Sequence, residues 1–553
     1  MHRYLLILSF LVFALLSSAQ NTVGLLSYEP SKTFDGYNII FPHNQPNVYL
    51  LDNCGEIVHI WEDEANFRPG NTAYLMPNGN LIKAKRDAVV TDDAIWAGGG
   101  GEIMEIRSWD NEVVWSYTLN NEKFRLHHDI APMPNGNIIA VAWELKTREE
   151  AIQAGRDSMT LAQDKLWSEY IFEINPNTDE IVWEWHMWDH LIQDFDATKD
   201  NFGVVADHPE LVNINYDTHD GHPDWLHVNA MDYSFERDQI IISSPYFDEV
   251  WIIDHTTTTE QAAGSTGGFG NKGGDLIYRW GNPIAYNSGT ADDRKLFFQH
   301  DVQFIDDFVI GSNPYYNSIA VFNNRVGADF STANIFRPDW DMYEFSYLKG
   351  PDGLYLPSEH SVTLTHPTPQ KMYSTGLSSI QLLPNDNYLL TSGRTGYSFE
   401  LTPDNEVVWE YKTPLIAGFP ATQGDTLATN NNLTFRMKRF PKSYSAFDGR
   451  DLSSKGWIEL EPNEMLCDEI LDIEILEDQY NLTLYPNPTS NYLVVDWEAG
   501  MYTYLDIYNA QGQKITSIMR TGGRVYLDVS EWEAGVYFVQ IDKVKAAKFV
   551  VRR

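Results

Sequence analysis

The chain has 553 residues, 78 of them Asp or Glu against 39 Lys or Arg, for a formal net charge of -39. A surface of that sign repels nucleic acid and anionic lipid at long range, which excludes sequence-independent binding to either, and an anionic substrate has to be drawn in by local groups. Hydrophobic residues make up 43% and aromatics 13%, and the many Asn-Gly and Pro-Asn turns between alternating stretches point to an all-β chain with a sizeable core.

Residues 1–19 read as a secretory signal peptide. Met1-His2-Arg3 is a positive start, Tyr4–Leu16 an apolar run too short for a spanning helix, and Ser17-Ser18-Ala19 a small-residue cleavage site. No other segment is apolar for long enough to span a bilayer, so stable membrane insertion is not expected.

From residue 20 to 462 the chain repeats itself. Ala73–Ile82 carries Pro77-Asn78-Gly79, and the pattern returns with Pro134-Asn135-Gly136 and Pro384-Asn385-Asp386. Each copy reads as strand, tight turn with a residue suited to positive φ, then strand. The units close on strands ending in Trp61, Trp115, Trp183, Trp280 and Trp409, with a less regular unit closing near Phe345-Ser346-Tyr347. That makes six units of about 70 residues, longer than the usual blade of about 40–50. The expected fold is a six-bladed β-propeller followed by a small Ig-like β-sandwich. Cys54 and Cys467 flank the repeats. In an exported protein a disulfide between them would close the ring; the alternative is two buried thiols.

An acidic linker is expected at 463–480. Residues 481–553 alternate as short strands: Tyr492–Trp497, Tyr504–Tyr508, Lys514–Ile518, Arg524–Val529, Gly535–Ile541 and Lys548–Val551. Tyr485-Pro486-Asn487-Pro488, Ile507-Tyr508-Asn509, Leu527-Asp528-Val529-Ser530 and Gly535-Val536-Tyr537 resemble the C-terminal sorting domain of the type IX secretion system. That resemblance implies the type IX secretion machinery as a partner. It also implies export through the periplasm of a Gram-negative cell to the surface or medium.

Three short stretches carry histidines in similar settings: Leu126-His127-His128-Asp129, Asp224-Trp225-Leu226-His227-Val228-Asn229 and Phe298-Gln299-His300-Asp301. Because neighbours on a strand face opposite ways, His128 and His300 share a register and His127 turns away. His227 and Asn229, two apart, share a face. His128, His227, Asn229 and His300 are therefore expected to line one pocket. Zinc is the rival reading. No His-x-His or His-x-x-x-His pair occurs within these three stretches, and Asn is a poor zinc ligand, so neither a metal nor another cofactor is expected.

These motifs, with Ile380-Gln381-Leu382-Leu383-Pro384-Asn385, resemble the bacterial arylsulfate sulfotransferase family of six-bladed propellers. The resemblance implies that His300 attacks the sulfur of an aryl sulfate donor and that the sulfohistidine passes the group to a phenolic acceptor. His128, His227 and Asn229 then bind sulfuryl oxygens or handle the phenolic proton. The chain departs from the family where an arginine is expected after the His-x-Asn motif. Ile241–Tyr246 has Pro245 there, and Leu382 replaces a polar residue. Arg394 is the candidate substitute from another repeat. If the clamp is lost, the alternative is a non-catalytic propeller binding sulfated or phenolic ligands or surface glycans.

Overall fold

In the computed structural model residues 21–89, 93–305, 315–341, 343–464, 467, 482–497, 503–510, 513–520, 523–541 and 545–553 are described. The expected signal peptide and most of the expected acidic linker lie outside them. The chain forms two compact units, Met1–Glu464 and Met465–Arg553.

Six antiparallel sheets of four or five strands form the blades of the first unit, with three two-stranded sheets beside them. The first strand of blades two to six is Phe67–Leu75, Phe124–Pro132, Ala230–Ser234, His300–Phe304 and Ser379–Leu382. These strands pack on one another in sequence, which places them around the axis. Closure uses both ends of the repeat region. Met437–Pro441 pairs with Gly36–Ile40 as the innermost strand of blade one, and Gly24–Tyr28 adds a fifth strand to the outer edge of blade six. Gln381 fastens the join from blade six: its amide donates to Arg439 O (2.9 Å) and accepts from Arg439 N (2.8 Å).

The repeated residues have repeated jobs. Gly79, Gly136 and Asp386 all take positive φ, +86°, +87° and +66°, the left-handed corner that lets each two-strand turn close. Each closing tryptophan donates its indole N–H to the following blade. Trp61 reaches Ser108 O, Trp115 Asp179 Oδ1, Trp183 Thr257 Oγ1, Trp280 Pro357 O, and Trp409 Asn53 O, at 2.6–3.1 Å. A large apolar ring with a satisfied polar edge suits an inter-sheet seam. Blade five has no such tryptophan. It ends not near Tyr347 but on Val362–Leu364. Ser346–Tyr347 pairs instead with Trp340–Asp341 in a separate two-stranded excursion, whose aromatics imitate a closing strand. Cys54 lies in the turn Asp52–Gly55 rather than on the closing strand Ile57–Trp61, and it is disulfide-bonded.

The second unit has a three-stranded sheet (Thr483–Tyr485, Tyr492–Asp496, Arg524–Asp528) and a four-stranded one (Thr503–Asn509, Lys514–Arg520, Gly535–Ile541, Lys545–Val551). Alternate residues point inward: Leu493 and Val495, Val525 and Leu527, Val539 and Ile541 are buried with Phe549. This is the two-layer pattern of a small sandwich. Cys467, also in this unit, is disulfide-bonded. Among the described residues no helix is long and apolar enough to cross a membrane.

Candidate active site

At one end of the propeller axis the loops enclose a cavity of about 550 Å³. His128, His227 and His300 all line it, with His43, His219, His222, Tyr246, Phe298, Arg325, Arg394 and Asp224. On a chain of net charge -39, this wall holds six histidines and two arginines against one carboxylate. Rings follow one another around it. Centroids are 4.5 Å apart for His128 and His227, 5.1 Å for His227 and Tyr246, 5.6 Å for Tyr246 and Phe298, and 5.8 Å for Phe298 and His300.

The backbone is bent to aim these groups. His128, His227, Phe298 and Asp301 have φ of 49°, 54°, 56° and 55°, a left-handed conformation that residues with a Cβ hold only when the surroundings impose it. The innermost strands of blades three and five bulge at the motif, between the pairs Ile130–Ala140 and Leu126–Ala142 and between His300–Phe322 and Gln303–Ala320. Bulges commonly re-aim side chains next to active sites.

The bulges split each His-Asp pair. The histidine faces the cavity and the aspartate faces the axis, where a single arginine waits. Arg436, just before the ring-closing strand, pairs with Asp129 (Nη2 to Oδ2, 2.5 Å) and with Asp301 through Nε. Asp129 also accepts from Tyr74 Oη (2.8 Å) and Met231 N (3.0 Å), and Asp301 from Ile380 N (2.9 Å). Blades two, three, four, five and six thus meet on two carboxylates and one guanidinium, and ring closure and the strands that carry the histidine motifs share one hub.

His300 has its tautomer set by Asn324. The Asn324 amide nitrogen donates to Ser374 O and Leu377 O, both at 3.0 Å, so its oxygen is the atom facing His300 Nδ1 at 2.8 Å. Nδ1 must then carry the proton, and Nε2 holds the free lone pair. Burial, with Asn324 opposing and nearby His227 assisting, pushes the His300 pKa down to about 3, so the ring is neutral. His227 goes the other way. Burial alone would lower its pKa, but the Asp224 carboxylate, 2.5 Å from Nδ1, outweighs burial and raises it. His128 is driven well below the usual range by burial and by the surrounding imidazoles. Two histidines thus face one cavity with their pKa values pushed apart, a perturbation typical of functional sites.

Arg394 and Arg325 supply the cations. A Cβ built on Gly376 would lie 3.4 Å from Arg394 Nη2 and 3.6 Å from His300 Cε1, so glycine keeps open the gap between guanidinium and imidazole. Arg325 lies over Phe298, its Cζ 3.4 Å from the ring centroid. Among the described residues neither arginine has a carboxylate partner within ion-pair distance, and Arg394 Nε is buried without a hydrogen-bond partner.

Of the residues the sequence singled out, His128, His227, His300 and Arg394 meet at the cavity. Asn229 does not line it. It is fully buried and donates Nδ2 to Gln299 O at 2.8 Å. Alternation put Asn229 beside His227, but the positive φ at His227 reverses the next residues, and His227 precedes its strand, which begins at Ala230. His127 faces away from the cavity. Arg325, Asn324, Arg436, His43 and Asp224 were not singled out as site residues. A signal for Arg325 existed: Tyr246, Arg325 and Arg394 each stand two residues past the second strand of their blade, which ends at Ser244, Asn323 and Ser392. Asn324 and Arg436 act through contacts that no local pattern announces.

Among solved structures, a protein of unknown function from Bacteroides caccae is 9% identical and is matched over 68% of this chain and 94% of its own, with a TM-score of 0.37. A fungal alcohol oxidase of the AA5 family is 9% identical over 97% of this chain and 100% of its own (TM-score 0.36). A 6-phosphogluconolactonase candidate from Bacteroides fragilis is 10% identical over 74% and 100% (TM-score 0.33). No curated protein matches the chain. Residues 483–552 match the secretion system C-terminal sorting domain. Residues 26–346, more than half of the chain, match the family Arylsulfotransferase (ASST), and the chain belongs to that family.

Proposed function

We propose that the protein is an exported aryl-sulfate:phenol sulfotransferase working through a sulfohistidine at His300. One observation carries the reading: a neutral imidazole, its Nε2 freed by Asn324, opens into a cavity beside arginines that form no ion pair among the described residues.

In the donor half-reaction His300 Nε2 attacks the sulfur of the aryl sulfate. The N–S bond forms, the S–O bond to the aryl group breaks, and the electron pair leaves on the phenolate oxygen, which takes a proton from the histidines opposite. Arg394, at the gap left by Gly376, meets the sulfuryl oxygens where their charge concentrates. Tyr246 and Phe298 flank the aryl ring, and Arg325 closes that side. The acceptor phenol then reverses the sequence.

Asn324 has a second consequence. An amide oxygen cannot take the Nδ1 proton, so the sulfated ring stays cationic and remains a good leaving group. A carboxylate there would accept that proton and stabilise the intermediate against transfer. The loss of the expected arginine at Pro245 is offset by Arg325 and Arg394, which stand in blades five and six at the position that Tyr246, next to Pro245, holds in blade four. The sorting domain, with the hydrophobic leader expected at residues 1–19, supports export by the type IX machinery to the surface or medium.

The test is turnover. Purified protein given a chromogenic aryl sulfate and a phenol should release the chromophore and sulfate the phenol with ping-pong kinetics. Tight binding of the aryl sulfate with no release of phenol would instead support a binding propeller.

A further inference from the structure

Behind His128 runs a line of buried groups that the reaction above leaves unused. His127 Nδ1 lies 2.9 Å from His128 Nδ1, and His127 Nε2 lies 2.8 Å from Glu169 Oε2. His127 and Glu169 side chains are fully buried. Trp143 stacks on His127 at 4.1 Å and, with Trp167 and Ile95, walls the line from water. The other Glu169 oxygen accepts from Val228 N at 3.0 Å, next to His227. At the cavity end Gly99 stands over His128: a Cβ there would lie 2.0 Å from Nε2.

Two nitrogens facing each other at 2.9 Å must share one proton, so with both imidazoles neutral, as burial favours, the line has two consistent arrangements. In one, Glu169 is protonated and donates to His127 Nε2, His127 Nδ1–H donates to His128 Nδ1, and His128 shows Nε2–H to the cavity. In the other, Glu169 is ionised, every hydrogen bond is reversed, and His128 shows a bare Nε2. The arrangements differ by one proton, and neither contains an imidazolium. We propose that Glu169, His127 and His128 form a proton relay in which the phenolic proton is exchanged at His128 Nε2 and stored on Glu169. This rests on the transferase reading above.

The step balances. As the S–O bond breaks, the phenolate takes the proton of His128 Nε2, His128 Nδ1 takes that of His127, and His127 Nε2 takes that of Glu169, leaving one carboxylate. The acceptor phenol returns the proton by the same path. His227, whose Nδ1 is held by Asp224 at 2.5 Å, turns its other ring nitrogen to the cavity as a donor for the sulfuryl oxygens. Burial also raises the Glu169 carboxyl well above the usual carboxylate range, which favours the arrangement in which Glu169 holds the proton.

The substitution Glu169→Gln separates relay from scaffold. With its oxygen on Val228 N–H and its NH2 toward His127, glutamine preserves the first arrangement but has no proton to give. The readout is the first-turnover burst of phenol from two donors, 4-nitrophenyl sulfate, whose phenolate leaves unaided, and phenyl sulfate, whose phenolate needs the proton. The expected result is a loss of about 10²–10⁴-fold with phenyl sulfate and little change with the nitrophenyl ester. Equal losses with both donors, or none with either, would overturn the relay while leaving the transferase intact. Absence of any burst from the unsubstituted protein would overturn both. The unsubstituted protein gives a second measure independent of folding. In mixed light and heavy water the phenyl sulfate burst rate should curve, as several protons move together; a straight line overturns the relay.

Discussion

Replacing Arg394 by alanine should cost the protein its chemistry and almost none of its stability. Among the described residues the guanidinium makes one long hydrogen bond, Nη1 to Asn430 Oδ1 at 3.3 Å, and no ion pair, so folding loses the worth of one weak hydrogen bond, about 0.5–1.5 kcal/mol. The transition state loses more. A unit charge about 4 Å from a sulfuryl oxygen contributes about 4 kcal/mol at an effective dielectric of about 20, and single oxyanion donors are typically worth about 2.7–4 kcal/mol, or 10²–10³-fold in rate. The burst rate of Arg394→Ala with 4-nitrophenyl sulfate should therefore fall by about 10²–10³, while its denaturant midpoint stays near that of the parent. Arg436 marks the contrast. Removing it strands two buried aspartates at the hub, which costs about 3–5 kcal/mol and should show first in the denaturation curve. A burst rate for Arg394→Ala within a few-fold of the parent would refute the assignment of the sulfuryl site to this arginine.

Two further outcomes follow from the same geometry. Asn324→Ala frees His300 to protonate Nε2, and loss of tautomer control should slow the burst by about 10²–10⁴; a loss under tenfold would show that Asn324 does not set the nucleophile. Away from the site, His255 sits between Asp238 (2.6 Å) and Glu173 (3.2 Å). Burial opposes its charge, but these carboxylates raise its pKa to about 9. A raised histidine stabilises the fold fully below its unfolded pKa of about 6.5, and the contribution is lost as pH rises to about 9, some 2–3 kcal/mol in all. His255→Gln should thus be less stable than the parent by that amount at pH 6 and nearly equal to it at pH 10, measured by urea denaturation. An equal deficit at both values would show that the ion pairs are not the cause.

Periodic features of the fold were legible in the sequence. Turn residues at positive φ, closing tryptophans and inward alternation in the sorting domain each recur because each copy meets the same local demand. Blade five escaped because its closing strand lacks tryptophan and because Trp340 and Tyr347 mimic one. At the site, the three histidines were legible as matching motifs. Asn229 was misplaced because alternation assumes extended backbone, and the left-handed residue at His227 breaks it. Asn324, Arg436 and Glu169 were invisible for another reason. Each acts on a motif from a different strand or blade, and that juxtaposition exists only after the ring closes. Arg325 lay between these cases, at a position that aligning strand ends across blades would have exposed.

The most direct test of the account is to identify the sulfated atom. Protein quenched during turnover of an aryl sulfate, kept alkaline and digested, should carry one sulfuryl group on the peptide containing His300, and His300→Ala should carry none and release no burst of phenol. A label on His128 or His227, or a burst that survives His300→Ala, would contradict it.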